Sequence, residues 1–191
     1  MADPFARALN ELTAALDSLG IRYAIGGGLA SSALGVFRAT ADGDLIAAIF
    51  LANLVPLQNA LGPDWYADLP MMESALRAGR SFNVIHKVTA IKFDIYPART
   101  EFHLSQLERA RKIRLPLDGA VPCSVTTAED ILLAKLRWYL DGGESSDRQW
   151  NDVVGLLTTN DSLDLGYLQN WAARLGVTRL LEKAQADAKA G

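Results

Sequence analysis

Cysteine and histidine are nearly absent from this chain. Cys123 is the only cysteine, and His86 and His103 are the only histidines. A lone thiol excludes an internal disulfide and a cysteine-built zinc site, and two histidines do not make a histidine metal cluster unaided. A metal on this chain therefore has to be an oxygen-ligated one, not zinc. Basic charge is not in excess either: 19 Lys and Arg stand against 22 Asp and Glu, for a formal net charge of −3. Such a balance gives no overall attraction to nucleic acid or an anionic membrane, so any contact of that kind needs a local patch. Long apolar runs are missing too. The longest, near residues 45–52, is too short to cross a bilayer, and no signal-peptide pattern opens the chain. These absences point to a cytoplasmic location with no membrane partner. What is present is an ordinary globular balance, half apolar over 191 residues, enough for one core or one core with a helical appendage.

Local patterns divide the chain in two. Asp3-Pro4 opens a helix with Phe5, Leu9, Leu12 and Leu16 at helical spacing, ending at Gly20. IRYAI (21–25) reads as a strand, and the glycines after it turn the chain into a helix ending near Gly35. A strand is expected over 43–49 and a helix from there to Ala60, broken by Gly62-Pro63. SFNVIH (81–86) and TAIKFDIYP (89–97) read as antiparallel strands because their connection is short. Residues 101–110 look helical, with short strands near 111–115 and 120–125. After Pro122 the strand pattern stops. TTAEDILLAKLRWYL begins with a Thr126…Glu129 capping box and ends at Gly142-Gly143. SSDRQWNDVVGLL, LGYLQNWAARL and VTRLLEKAQADA supply three more helices. The expected architecture is α+β: a mixed sheet with flanking helices over 1–125, then a helical module over 126–191.

The chemistry concentrates in IGGGLASSALGVFRATADGDL (25–45). Glycines let a backbone approach a phosphate closely, and the following helical turn offers N–H groups to it. Asp42 and Asp44 lie two apart, so on a strand both leave the same face. Asp94 adds a third carboxylate in a half-buried strand, while Arg38 and Thr40 stand just before the pair, placed to bind phosphate or orient the acids. Three carboxylates at one site repel one another unless a cation lies among them. Aspartate, water and phosphate oxygens suit magnesium, and one or two such ions would activate a hydroxyl and stabilise a pyrophosphate leaving group. A dinucleotide-binding reading is weaker, because no G-x-G-x-x-G follows Ile25.

Together, IGG…RATADGDL and KFDIYP resemble the nucleotidyltransferase superfamily with the DNA polymerase beta-like fold. Its pattern is Gly-Gly or Gly-Ser, a short gap, Asp-hydrophobic-Asp/Glu, then a later strand aspartate; here the gap is residues 28–41. AEDILLAKLRWYLDGGESSDRQWNDVVGLL and LDLGYLQNWAARLGVTRLLEKA are similar to the bacterial minimal nucleotidyltransferases related to abortive-infection and toxin–antitoxin proteins. The likeness spans about 20–188. It implies a nucleotidyltransferase-like mixed sheet followed by a helical module. It implies transfer of a nucleoside monophosphate from a nucleoside triphosphate such as ATP to a hydroxyl on a protein, an RNA or a small molecule. A toxin–antitoxin role, with an antitoxin partner, is part of the same implication. Carried over by residue, Asp42 and Asp44 bind metal and Asp94 is the third carboxylate that activates the acceptor. Gly26, Gly27 and Gly28 hold the phosphates, with Ser31 nearby. Lys135 reaches nucleotide phosphates, and Asp147, Arg148 and Asp152 match a charged motif that closes the site. One position departs from the pattern. Gly43 stands where a hydrophobic residue is usual, which removes a core anchor from the strand. The alternative reading follows from it: a weakened or inactive protein of this fold that works through protein contact.

Plainer explanations stand beside these. Lys135 in a helix apolar almost all round either snorkels to solvent or aims at a charged pocket. Arg148 and Asp152, four apart, form either a surface ion pair or part of the site. ERARKIR (108–114) reads as a solvated helix end and strand edge, since it lacks the interleaved aromatics of a nucleic-acid surface. His86 reads as a structural histidine and Cys123 as a small buried residue. Trp138, Trp150, Trp171, Tyr139 and Tyr167 are expected to form the core between the tail helices.

Overall fold

The computed structural model describes residues 3–35 and 42–190. Helix α1 (Pro4–Ser18) starts where the Asp3 carboxylate accepts a 2.7 Å hydrogen bond from the Phe5 amide, with Pro4 in the first turn. Phe5, Leu9, Leu12 and Leu16 are all buried. Strand β1 (Tyr23–Ile25) leads directly into α2 (Gly27–Ala33), and β2 (Asp42–Ala47) returns antiparallel to β1 with Leu45 opposite Ile25. A 3-10 turn at Leu51–Asn53 delays the next helix, α3 (Leu54–Leu61), which stops at Gly62 with φ +74°.

Two elements then fall where the sequence suggested none. β3 (Trp65–Tyr66) is a two-residue strand, and α4 (Leu69–Arg77) is capped by Asp68, whose carboxylate accepts from the Met71 amide at 2.8 Å. β4 (Phe82–His86) and β5 (Ile91–Pro97) pair antiparallel, as their short connection predicts. After α5 (Glu101–Arg109) come β6 (Arg111–Ile113) and β7 (Cys123–Val125). The strands described form one mixed sheet in the order β3-β4-β5-β2-β1-β7-β6. β5 joins β2 in parallel and β7 joins β1 in parallel; the other pairs are antiparallel. ERARKIR therefore ends α5 and forms the charged edge strand β6, the position where charge blocks edge-to-edge pairing.

The C-terminal stretch is helical: α6 (Ala128–Asp141), α7 (Asp147–Thr159), α8 (Leu165–Leu175) and α9 (Thr178–Ala190). The expected cap of the first of these sits one residue off. Thr127, not Thr126, is the N-cap, accepting from the Asp130 amide at 3.4 Å. Thr126 is buried, and its hydroxyl donates to the Ile25 carbonyl. Glu129 instead accepts from the Asp164 amide at 3.1 Å.

By contact density the described residues fall into two compact units, 3–29 with 42–126, and 30–35 with 127–190. In the first, Phe93 meets Phe5 edge-on at 5.5 Å between ring centres and Trp65 at 5.9 Å, so α1, β3 and β5 share one core. In the second, the core is mostly aliphatic: Leu132, Leu133, Leu136, Val153, Leu156, Leu168, Leu180 and Leu181 are buried. Of the aromatics expected in this core only Trp171 is buried, with the Tyr167 ring 6.3 Å away, and the others are corrected. Trp138 is exposed, and Trp150 lies at the rim against Tyr139 and under the Lys183 ammonium, with its indole N–H on Asp187. Indole and phenol groups keep polar contacts that a fully buried position among leucines would deny them.

Candidate functional site

Strand alternation and one parallel register build the site. β2 and β5 align Asp42 with Lys92, Asp44 with Asp94 and Ile46 with Tyr96. Between these rows, Gly43 faces Phe93 and Leu45 faces Ile95, all on the buried side. Period two therefore sends Asp42, Asp44, Lys92, Asp94 and Tyr96 to one face of the sheet and the apolar set to the other. On the far side of β5, Asn83 is opposite Asp94. Lys92, Asn83 and Tyr96 escaped the sequence reading, although the K-x-D-x-Y alternation carried the signal for two of them.

Lys92 neutralises much of this face. Its ammonium lies 2.8 Å from Asp94 Oδ2 and 3.7 Å from Asp42 Oδ2. The hydrogen bond to Asp94 holds the ammonium above its ordinary pKa against the opposing effect of partial burial, and the charges of Asp94, Asp42 and Asp44 add to the rise. Burial, with the charges of Asp44 and Asp94, pushes the Tyr96 phenol up to about 12. Tyr96 is thus a neutral hydrogen-bonding group near neutral pH, not a base.

The glycine turn comes to one of these carboxylates, Asp44. Gly26 N–H donates to the Asp44 carbonyl at 2.8 Å, which places Gly26 in the ladder between the two segments. Gly27 has φ +58°, and a Cβ there would stand 1.9 Å from Asp44 Oδ2. A side chain at this point and the Asp44 carboxylate are mutually exclusive. Gly28 continues the first turn of α2 and Ser31 is buried further along it. Arg38 and Thr40 lie outside the described residues.

Gly43 does not leave the hole that a missing anchor implies. A Cβ on it would lie 2.3 Å from Phe93 Cδ1 and 2.6 Å from Cε1. The ring of Phe93, fully buried, covers the glycine from the neighbouring strand. The apolar anchor has moved from the middle of Asp-x-Asp to the strand beside it, which is how an aromatic compensates a glycine in a sheet.

Among the described residues no three Asp, Glu, His or Cys side chains converge closely enough to hold a metal ion by themselves. The donors still fit magnesium, which takes one or two carboxylates and completes its shell with water and substrate phosphate. Asp42, half exposed, and Asp44 supply such oxygens.

Lys135, Asp147, Arg148 and Asp152 belong to the second unit, and His86 and Cys123 to the first. Lys135 on α6 and Asp152 on α7 form a buried ion pair at 2.7 Å. Asp147 opens α7 and Arg148 beside it is exposed. His86 is structural: its Nδ1 is 2.8 Å from the Thr89 hydroxyl, and Nε2 lies 3.2 Å from the Glu11 carboxylate without the alignment of a hydrogen bond. Cys123 is buried, and burial pushes its thiol up to about 11.

No protein-family profile matches the chain, and neither does any curated protein. Solved structures do. The crystal structure of ANT(2″)-Ia in complex with adenylyl-2″-tobramycin aligns with a TM-score of 0.57 at 15% identity, covering 91% of this chain and 98% of that one. An antigenic nucleotidyltransferase-like protein from Paracoccidioides brasiliensis aligns at 0.52 and 17% identity, covering 97% and 94%. The solution structure of the antibiotic-resistance factor ANT(2″)-Ia gives 0.50 and 14%, covering 100% and 94%. The fold is nucleotidyltransferase-like. Identities this low establish the architecture and not the reaction. Within the nucleotidyltransferase-like fold described, no helix is long and apolar enough to cross a membrane.

Proposed function

We propose that the chain is a magnesium-dependent nucleotidyltransferase, moving a nucleoside monophosphate from a nucleoside triphosphate to a hydroxyl acceptor with release of pyrophosphate. The observation that carries this reading is the register of β2 and β5: it sets Asp44 beside Asp94 with Asp42 on the same face, against the Gly27 turn. Asp42 and Asp44 hold the metal in this reading, and Asp94 completes the set. Magnesium, when bound, would supply charge neutralisation at the triphosphate and on the leaving pyrophosphate. The acceptor oxygen bonds to the α-phosphorus, the bond from that phosphorus to the bridging oxygen breaks, and pyrophosphate leaves with the electron pair. Asp94 takes the hydroxyl proton. The bare backbone at Gly27 and Gly28 admits the phosphates at short range. Lys135 and Arg148 enter this reading only through the resemblance, which assigns them to nucleotide phosphates.

The acceptor classes are a protein, an RNA 3′ end or a small molecule. The ANT(2″)-Ia structure, which holds adenylyl-2″-tobramycin, supports putting aminoglycosides in the panel. The test is incubation of purified protein with each labelled triphosphate and magnesium, with total RNA, total protein and hydroxyl-bearing small molecules as acceptors. Transfer from at least one triphosphate is expected, and its loss in Asp42→Ala/Asp44→Ala. Absence of transfer, or equal transfer by the double variant, overturns the reading. A toxin–antitoxin role belongs to the same proposal. It requires that toxicity on expression disappear with Asp42→Ala and be relieved by the product of an adjacent small reading frame. The cover of Gly43 by the Phe93 ring weighs against the non-catalytic alternative, which rests on that position.

A further inference from the structure

Lys92 sits among carboxylates that a two-ion site would give wholly to metal. Its Nζ is 2.8 Å from Asp94 Oδ2 and 3.7 Å from Asp42 Oδ2, and the side chain is about one-third exposed (36%), so it is held there by charge and not walled in. The pairing follows from the fold itself, since the parallel register places Lys92 directly opposite Asp42 and two residues from Asp94 on the same face. Three carboxylates with one ammonium leave two negative charges instead of three. A divalent ion approaching the empty protein meets a carboxylate pair already bridged by a cation, and an added repulsion from that cation. A triphosphate changes the balance, because it carries several negative charges of its own and donates oxygens to the same ion.

We propose that Lys92 is the built-in counter-cation of the carboxylate face, so that this protein binds a divalent ion only together with the nucleotide triphosphate and has no strong metal site of its own. The inference rests on the nucleotidyltransferase reading and goes beyond it by setting the order of loading. The ammonium holds Asp42 and Asp94 in place before the substrate arrives. It is then free to move to the phosphate charge that comes with the ion. Lys92 is in this sense a positioning residue for the metal–nucleotide complex.

The test is equilibrium dialysis of Mn2+ against the full chain, with and without a non-hydrolysable triphosphate analogue, for the wild type, Lys92→Met and Lys92→Arg. Circular dichroism confirms that each variant is folded. The wild type is expected to retain Mn2+ only when the analogue is present. Lys92→Met is expected to retain Mn2+ without nucleotide, about tenfold more tightly than the wild type or better, because a unit charge within a few ångströms of the ion has gone. Lys92→Arg, which keeps the charge, is expected to behave as the wild type does. Strong Mn2+ binding by the nucleotide-free wild type overturns the counter-cation assignment, and so does a Lys92→Met protein that binds no more tightly. Either result leaves the metal-dependent reading intact. Failure of every protein to retain Mn2+ even with the analogue overturns that reading instead, and this inference with it.

Discussion

At Gly27 two constraints coincide: a left-handed φ of +58° and a carboxylate oxygen 1.9 Å from where a Cβ would be. Gly27→Ala is expected to lose about 1–2 kcal/mol from the backbone conformation alone. It is also expected to lower transfer activity about a hundredfold by displacing Asp44, a shift of about an ångström in a reacting group being enough for that. Melting curves and single-turnover transfer separate the two effects, and full activity in this variant would remove Gly27 and Asp44 from a common site. Gly43 is constrained from the opposite face of the same strand. Gly43→Ala collides with the Phe93 ring and is expected to cost about 1–3 kcal/mol by overpacking. Combined with Phe93→Leu, the cost should be smaller than the sum, with a coupling of about 0.5–3 kcal/mol in urea denaturation. Simple additivity would mean the ring does not fill the place of the missing side chain.

Helix pairing and strand pairing decide what the charged residues of each element can do. Lys135 and Asp152 are both buried and 2.7 Å apart across α6 and α7. Lys135→Met alone takes the ammonium from a buried carboxylate and is expected to cost up to about 3–5 kcal/mol, whereas Lys135→Met with Asp152→Leu should cost less. If the double variant is stable yet inactive, Lys135 has a role beyond the pair. Glu11 on α1 shows the pH dependence of such contacts. Partial burial pushes its carboxyl up, but hydrogen bonds from Arg7 and Trp65 and the charges of His86 and Arg7 outweigh this and hold it below the ordinary value of 4.5. A carboxyl depressed in the folded state stabilises above its unfolded pKa, and that contribution is lost as pH falls through the folded one. The wild type should therefore lose stability on acidification below about pH 4.5 more steeply than Glu11→Gln; parallel profiles would show the contact to be inert. Elements of this kind were legible where a helical or alternating pattern ran long enough, as in α1, β4, β5 and α6. β3 was not, because two residues acquire strand character only from pairing with β4. The candidate site divides the same way. Its acids and glycines are visible as spacing along the chain, but the Lys92–Asp42 bridge and the cover of Gly43 by Phe93 are products of register, which one sequence does not reveal. α4 is a different case: Asp68, Pro70, Met72, Ala75 and Leu76 carried a cap and an apolar stripe that were available to be read.

For the whole molecule the open matter is whether the two units fold separately. α2 runs Gly27–Ala33, and its residues are divided between them: Leu29 packs within the first and Ala30 and Ser31 within the second, all three buried. A helix of this length does not persist alone, isolated helices below about 12–15 residues being marginal in water. Its two parts are therefore expected to melt together, as one continuous helix. The four tryptophans offer a direct measurement, since Trp65 lies in the first unit and Trp138, Trp150 and Trp171 in the second. A protein keeping only Trp65, with the other three changed to Phe, reports the first unit; Trp65→Phe reports the second. After each variant's own shift is set by circular dichroism, its fluorescence midpoint in urea is expected to coincide with its circular dichroism midpoint. One coincident transition is the mark of a single cooperative system. Fluorescence of the Trp65-only protein that changes well before or after its overall helical signal would show that α2 does not couple the units and that each stands on its own core.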